Sequence, residues 1–241
     1  MAESLTPRLL GRFARAALDN ASSLLADAEI LLNQGRYPRA LALTVLAAEE
    51  FGKHMMCMSA AVFDLNDPAD VKKFWKRFRS HEAKYQNWHG QLIDYIAIDP
   101  ATPFEPSKAE PDLWDEMWAE MPRVVREAMT LKLRALYVDE QDGQPTRPDD
   151  LVDPELAANS WKSVSMILED AERMWAGADL SDLLERGAPK MEGLRLAMLE
   201  AKEKGDPSPL VAIFGEILDL PEDELARLSD TWAEARSLEE E

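Results

Sequence analysis

Ionisable side chains interrupt an otherwise apolar segment early in the chain. Glu49, Glu50, Lys53 and His54 lie within the apolar stretch 41–63. Residues three or four apart share a helix face, so Lys53 can pair with either glutamate. A buried charge without a partner is costly. Two interpretations stay open: an internal ion pair that fixes how helices dock, or a polar site that opens between helices.

A basic segment follows at residues 72–84, with six basic side chains against one acidic. Arg77 and His81 are four residues apart, one turn of a helix, so both could contact one ligand. Histidine transfers protons near neutral pH, and arginine stabilises charge developing on a phosphate. The pair is therefore a candidate for RNA cleavage, with Lys73 and Lys76 as RNA-binding residues. The alternative is a solvated basic face, with His81 as a hydrogen-bonded core residue.

Motifs for other chemistries are missing from the sequence. The chain has a single cysteine and three histidines, with no zinc-type cluster and no repeated Glu-x-x-His pair. It also lacks a P-loop, a dinucleotide-binding glycine motif and a nucleophile elbow. We therefore expect neither a metal nor a cofactor.

Composition limits the partners. The 241 residues carry a formal net charge of -19. A surface this negative repels phosphate backbones on average, which disfavours general coating of nucleic acid but permits a local basic site. Charged residues break the longest apolar stretch, and the N-terminus has no evident secretory signal. We expect a soluble, cytoplasmic protein with no membrane partner.

Apolar periodicity predicts an all-α fold, an antiparallel bundle of four to five long helices. The third helix has an unusually regular apolar stripe in which His81 takes a seam position. A proline-rich loop is expected at 99–111, and a short extended excursion in the polar segment after residue 136. The predicted helices are 6–32, 37–62, 67–98, 112–136 and 154–175.

The last quarter of the chain differs in composition. From Lys190 onward there are fourteen acidic and six basic residues, and glycine-proline breaks at 187–189 and 205–209 predict short helices. We expect a bundle domain at 1–177 and an acidic helical extension at 178–241. The extension could imitate nucleic acid and mask the basic segment.

Three segments together resemble a known family. The sequence Glu-Glu-Phe-Gly-Lys at 49–53 is similar to a signature of AbiV-type abortive infection proteins, a branch of the HEPN superfamily. His81-Glu-Ala-Lys84 resembles the family's His-x-x-Lys element, and Leu136-Tyr-Val-Asp139 resembles a third element. The segments occur in the family's order, over about residues 10–165.

The resemblance implies a HEPN-like bundle that forms a homodimer and defends against phage. It also implies action on RNA or on the translation machinery, and activation by a phage protein. Many HEPN proteins are metal-independent endoribonucleases with an Arg-x(4–6)-His motif. Here Arg77-x-x-x-His81 is one residue too short, and Lys84-x(4)-His89 has lysine in place of arginine.

The resemblance carries over six positions: Glu50, Lys53, His81, Lys84, Tyr137 and Asp139. We expect them to converge on a shared hydrogen-bonded cluster, in which a carboxylate sets the imidazole tautomer and a lysine balances charge. The predicted catalytic residues are His81, Arg77, Glu50 and Lys53, and Lys84, Arg134, Tyr137 and Asp139 are predicted to bind RNA together with Lys73 and Lys76. Two functions remain open: an abortive-infection effector that is a HEPN-type ribonuclease, or a non-enzymatic helical binding module that senses a phage or host protein.

Overall fold

The computed structural model describes residues 5–60, 63–99, 102–106 and 111–204. Within these residues the chain forms eight helices and two short antiparallel strand pairs, which confirms the all-α prediction. The elements in chain order are α1 (Pro7–Asn33), α2 (Tyr37–Met58), α3 (Pro68–Arg79), α4 (His81–Ala97), β1 (Ile98–Asp99), β2 (Thr102–Pro106), α5 (Pro111–Leu136), β3 (Asp139–Gln141), β4 (Gln144–Thr146), α6 (Pro148–Leu151), α7 (Pro154–Met174) and α8 (Leu180–Lys204).

Helices α1 and α2 form the central antiparallel pair. The Thr6 hydroxyl accepts a hydrogen bond from the Leu9 amide and caps α1, whose first residue is a proline. Gly35 follows the helix with φ +72°, a conformation that favours glycine, and turns the chain into α2. Helix α2 also packs against α4, α5 and α7, so its predicted central place is confirmed.

The predicted third helix, 67–98, is wrong as a single element. It breaks at Ser80, whose backbone is extended (φ -79°, ψ 122°) and whose hydroxyl accepts from the Ala83 amide at 3.3 Å. Serine in this role caps a new helix. Because α3 and α4 are separate, Arg77 and His81 are not one helical turn apart.

Two segments predicted as loop or extended chain contain short strand pairs. The expected loop at 99–111 overlaps the β1–β2 pair, in which Ile98 lies opposite Pro106. The expected extended excursion is the β3–β4 hairpin, where Asp142 and Gly143 both have positive φ, as Asp-Gly hairpin turns require.

The start of the predicted extension packs against the bundle. Leu180 is buried with Leu10 and Met56, and the Arg15 guanidinium donates to the carbonyl oxygens of Trp175 and Ala178 at 2.8 and 3.0 Å. The division at 177/178 stays a prediction.

Helix α8 runs through Pro189, so the predicted break at 187–189 is wrong. Pro189 is exposed, and packing of the helix start on α1 outweighs local helix propensity. The second predicted break, at 205–209, lies outside the described residues. None of the described helices is long and apolar enough to cross a membrane.

Candidate functional site

A buried carboxylate lies at the middle of α2. The Glu49 side chain is only 1% exposed, and three side chains from two other helices converge on it. Lys132 of α5 donates to Oε1. On Oε2, His81 Nδ1 lies at 2.5 Å and Lys84 Nζ at 3.4 Å. We call these four residues the Glu49 cluster.

The Glu49 cluster carries excess positive charge. Lys84 and Lys132 are both buried, 5% and 7% exposed, and they share one carboxylate. Burial opposes ionisation of Glu49, but hydrogen bonds from Lys132 and His81 outweigh it and hold its pKa below the ordinary value. With both lysines charged, one positive charge is left over before His81 is counted.

His81 is the exposed member of the cluster. It begins α4, and its side chain is 61% exposed while Nδ1 bonds to the buried carboxylate. The Lys132 ammonium lies 3.5 Å from the same ring nitrogen. Among the described residues none bonds to Nε2, so an imidazole fixed from behind presents this nitrogen to solvent. A carboxylate on one ring nitrogen is how proteins fix a histidine tautomer.

Gly52 makes the arrangement possible. It lies one turn after Glu49 on the same face of α2, and a Cβ there would overlap the Lys84 carbonyl group. Only glycine lets α4 approach α2 this closely, which brings the Lys84 ammonium to the carboxylate. Close packing of α4 on α2 therefore explains why glycine occupies this position of Glu-Glu-Phe-Gly-Lys.

Of the two candidate glutamates, the structure places Glu49 in the cluster and Glu50 outside it. Glu50 pairs with Lys53 at 2.5 Å, and Lys53 also lies over the Phe78 ring, 5.8 Å from its centroid. One residue along a helix turns the side chain by about 100°. Among the described contacts, none joins Glu50 or Lys53 to His81, so the predicted convergence of these residues is not found there; Lys53 instead contacts Phe78 of α3.

The predicted basic residues of α3 lie on its exposed face. Lys73 pairs with Asp70 at 2.8 Å, and Lys76 and Arg77 are exposed. Arg77 borders a hollow of about 120 Å³ with Asn87. The structure therefore gives Arg77 no shared helical face with His81, but it keeps a basic surface just before His81 in the chain.

The third sequence element lies apart from the Glu49 cluster. Arg134 and Asp139 pair with each other at 3.1 Å, and Tyr137 is exposed. The predicted convergence of Tyr137 and Asp139 on His81 is not found among the described contacts.

Lys132 was missed by sequence reasoning. On α5, Met121, Val125 and Met129 recur at spacings of four residues and pack in the core. One more step of three residues reaches Lys132, so helical periodicity contained the signal. A lysine on a buried stripe facing a glutamate on another helix is a detectable pattern.

The buried histidine of α2, His54, is isolated from this chemistry. His54 is fully buried, its Nδ1 lies 3.1 Å from the Ala14 carbonyl oxygen, and its ring stacks on Phe51. Burial lowers its pKa, as does the nearby Arg15 charge, against the effect of the Ala14 bond. Among the described residues, no group of three or more His, Cys, Asp or Glu could hold a metal ion.

A family model described as AbiV, of the HEPN class, matches residues 9–169, a span that contains the whole Glu49 cluster. The chain belongs to the AbiV family. Membership implies a role in abortive infection, a HEPN-type defence. No curated protein and no solved structure matches this AbiV chain.

Proposed function

We propose that this AbiV protein is an effector that binds RNA and cleaves it at the Glu49 cluster. One observation carries the proposal: an exposed imidazole, His81, is held through Nδ1 by a buried carboxylate. This hydrogen bond restricts the imidazole to one orientation. A fixed orientation positions a proton-transfer group for general acid–base chemistry.

Charge supports a phosphate ligand. Two buried lysines around one carboxylate leave a positive excess directly behind His81, within a chain of net charge -19. The exposed cations of α3 precede His81 in the chain and extend this positive surface. A local positive field attracts a polyanion even when the protein as a whole is acidic.

The reaction that fits this arrangement uses the RNA's own 2′-hydroxyl. His81 Nε2 takes the 2′-hydroxyl proton, and the 2′-oxygen forms a bond to the adjacent phosphorus while the bond to the 5′-oxygen breaks. Water protonates the departing oxygen, giving a 2′,3′-cyclic phosphate and a 5′-hydroxyl. Glu49 is a positioning residue, and the buried ammonium groups of Lys84 and Lys132 behind His81 add a positive field that favours the developing negative charge.

Expression in bacteria tests the proposal in the cell. Total RNA from cells expressing the wild type should contain fragments absent from cells expressing His81→Ala, and growth arrest should disappear with them. Arg173→Ala is a matched control, because it removes an exposed cation paired with Asp170 on α7, a helix that contributes no residue to the Glu49 cluster. Identical RNA profiles for wild type and His81→Ala would overturn cleavage at this site.

A second candidate function is a non-enzymatic module that binds a phage or host protein, or a second copy of the chain. An exposed apolar surface supports it. Four apolar side chains lie close together in the sequence at the end of α5 and are 43–65% exposed: Leu133, Leu136, Tyr137 and Val138. Contiguous exposed apolar side chains are typical of interaction surfaces. Loss of protection against phage in Tyr137→Ser, with RNA profiles unchanged, would favour this candidate.

A further inference from the structure

A hollow of about 340 Å³ lies among the start of α1, the end of α2, the loop before α3, and α8. Its most deeply buried lining residues are Leu5, Leu10 and Cys57, which are 3%, 2% and 1% exposed. Among the described lining residues, polar side chains occur at three positions: Thr6, Asn66 and Glu192. Water in such a hollow has few hydrogen-bond partners, so an apolar occupant gains free energy by displacing it.

Helix α8 continues the apolar surface of this hollow towards its own end. Ala188 and Met191 line the hollow, and Leu199 follows Ala188 by eleven residues, about three helical turns, on the same face. Leu199 and Leu196, one turn before it, are 54% and 52% exposed. Neighbouring exposed apolar side chains on one helix are typical of a surface that another element covers.

The sequence that follows α8 contains a matching apolar stripe. Residues 205–209 read Gly-Asp-Pro-Ser-Pro, a turn signal, and Ser208 before Pro209 is a typical start of a helix. Apolar side chains then recur with the spacing of one helix face: Leu210, Ile213, Phe214, Ile217 and Leu220. The opposite face is small or acidic: Ala212, Gly215, Glu216 and Asp219. The sequence therefore predicts an amphipathic helix at 209–220, outside the described residues.

The length of the chain lets this segment reach the hollow. As a helix, residues 210–220 extend about 16 Å, and Met191 lies about 20 Å before the end of α8. Links of about two to eight residues join antiparallel helices, so residues 205–209 are long enough to reverse the chain. On its return along α8 the segment covers Leu199 first and brings its far end close to Met191.

We propose that residues 210–220 dock antiparallel on α8, cover Leu196 and Leu199, and place apolar side chains of their stripe in the hollow. The acidic residues that follow, 222–241, then start at the surface of the bundle. Ordering a short helix costs backbone entropy comparable to the gain from its burial, so docking should change thermal unfolding little. Solvent access to the hollow is therefore the sensitive readout. This docking does not depend on RNA cleavage.

A thiol placed in the hollow measures this access. Because Cys57 is the single cysteine of the chain, Cys57→Ala with Ala188→Cys leaves one reporter thiol, on a residue that lines the hollow. Its rate of reaction with dithiobis(nitrobenzoate) is measured in the full chain. Adding Ile217→Asp places a charge in the apolar stripe and should raise the rate at least about fivefold, because the covering segment opens. Ala212→Asp, the matched control, adds the same charge on the opposite face and should change the rate less than about twofold.

Two controls identify the occupant. With the reporter moved to Arg186→Cys, on a strongly exposed side of α8, Ile217→Asp should leave the rate unchanged. Protection of the hollow thiol that survives dilution of the protein identifies the chain's own segment. Protection lost on dilution would identify a second copy as the occupant and overturn the proposal, as would equal rates for Ile217→Asp and Ala212→Asp.

Discussion

At the scale of single residues, the Glu49 carboxylate is the charge on which the site depends. Two lysines and a histidine donate to it or pair with it, and all its partners come from other helices. An ion pair removed from water is strongly destabilised when one partner is deleted, because the remaining charge stays buried. The cluster is thus both a structural element and a support for His81.

Glu49→Gln should lower the free energy of unfolding by about 3–5 kcal/mol, because Lys84 and Lys132 lose their counterion. Urea denaturation measures the loss. Glu50→Gln is the matched control: its partner Lys53 is only partly buried, so the loss should be about 1 kcal/mol or less. Equal losses for the two variants would contradict the account of the cluster.

The fully buried His54 makes stability depend on pH. Its pKa is lowered in the fold, so below an unfolded value of about 6.5 the unfolded chain takes up a proton that the fold resists. Stability should therefore fall as the pH falls from about 6.5 towards the lower folded pKa. The decline between pH 6.5 and 5 should be shallower in His54→Gln than in the wild type, measured by urea denaturation at each pH. Parallel curves would show that His54 does not contribute.

At the scale of helices, the close crossing of α2 and α4 sets the geometry of the site. Gly52→Ala places a methyl group against the Lys84 backbone, so α4 must shift and the contacts of Lys84 and His81 with Glu49 lengthen. We expect a stability loss of about 1–3 kcal/mol together with loss of RNA cleavage.

Gly187→Ala is the control for that substitution. Gly187 also lies within a helix, but a Cβ there meets no atom within 4 Å. The change should raise stability by about 0.5–1 kcal/mol through helix propensity. If Gly52→Ala were as well tolerated, tight packing at the crossing would not position the site.

Much of the helical architecture was predictable because long helices combine apolar periodicity with local start signals. The bounds of α1, α5 and α7 agree with prediction to within one residue at each end. The break at Ser80 was not predictable from periodicity, because the apolar stripe continues across it. At Pro189 the sequence predicted a helix break, but α8 continues through this residue. An exposed proline is tolerated in a helix that is held by packing at its start.

The candidate site was predicted in part. His81 and Lys84 were named, but Glu50 was chosen over Glu49. Both glutamates can reach Lys53 within one helix, and local spacing cannot tell which one faces α4 and α5. That choice depends on helix packing. The helical periodicity of α5 was enough to predict that Lys132 is buried, although it lies 83 residues from its partner Glu49 in the chain.

At the scale of the whole molecule, charge is distributed unevenly along the chain. Residues 205–241 hold eleven acidic and two basic residues, whereas 72–84 hold one acidic and six basic. Removing 205–241 should strengthen RNA binding, because less negative charge then repels the polyanion. Fluorescence anisotropy with a labelled RNA, at low and high salt, measures the change. Unchanged affinity at low salt would reject the masking hypothesis.

This truncation should end at Lys204 and not at Gly177. Leu180 belongs to the second hydrophobic cluster with Leu10 and Met56, and removing it would expose buried apolar surface. Thermal unfolding of the 1–204 chain should resemble that of the full chain, which separates an electrostatic effect from a loss of folding.

In the proposed function, His81 is held by Glu49 and cleaves RNA. The most direct measurement is the cleavage rate of a labelled single-stranded RNA by the purified full chain in the presence of a chelator. The wild type should leave 2′,3′-cyclic phosphate ends, and His81→Asn should be slower by at least about 100-fold, the usual contribution of general acid–base catalysis, with an unchanged melting temperature. No cleavage by the wild type, or equal rates for the two proteins, would contradict the claim.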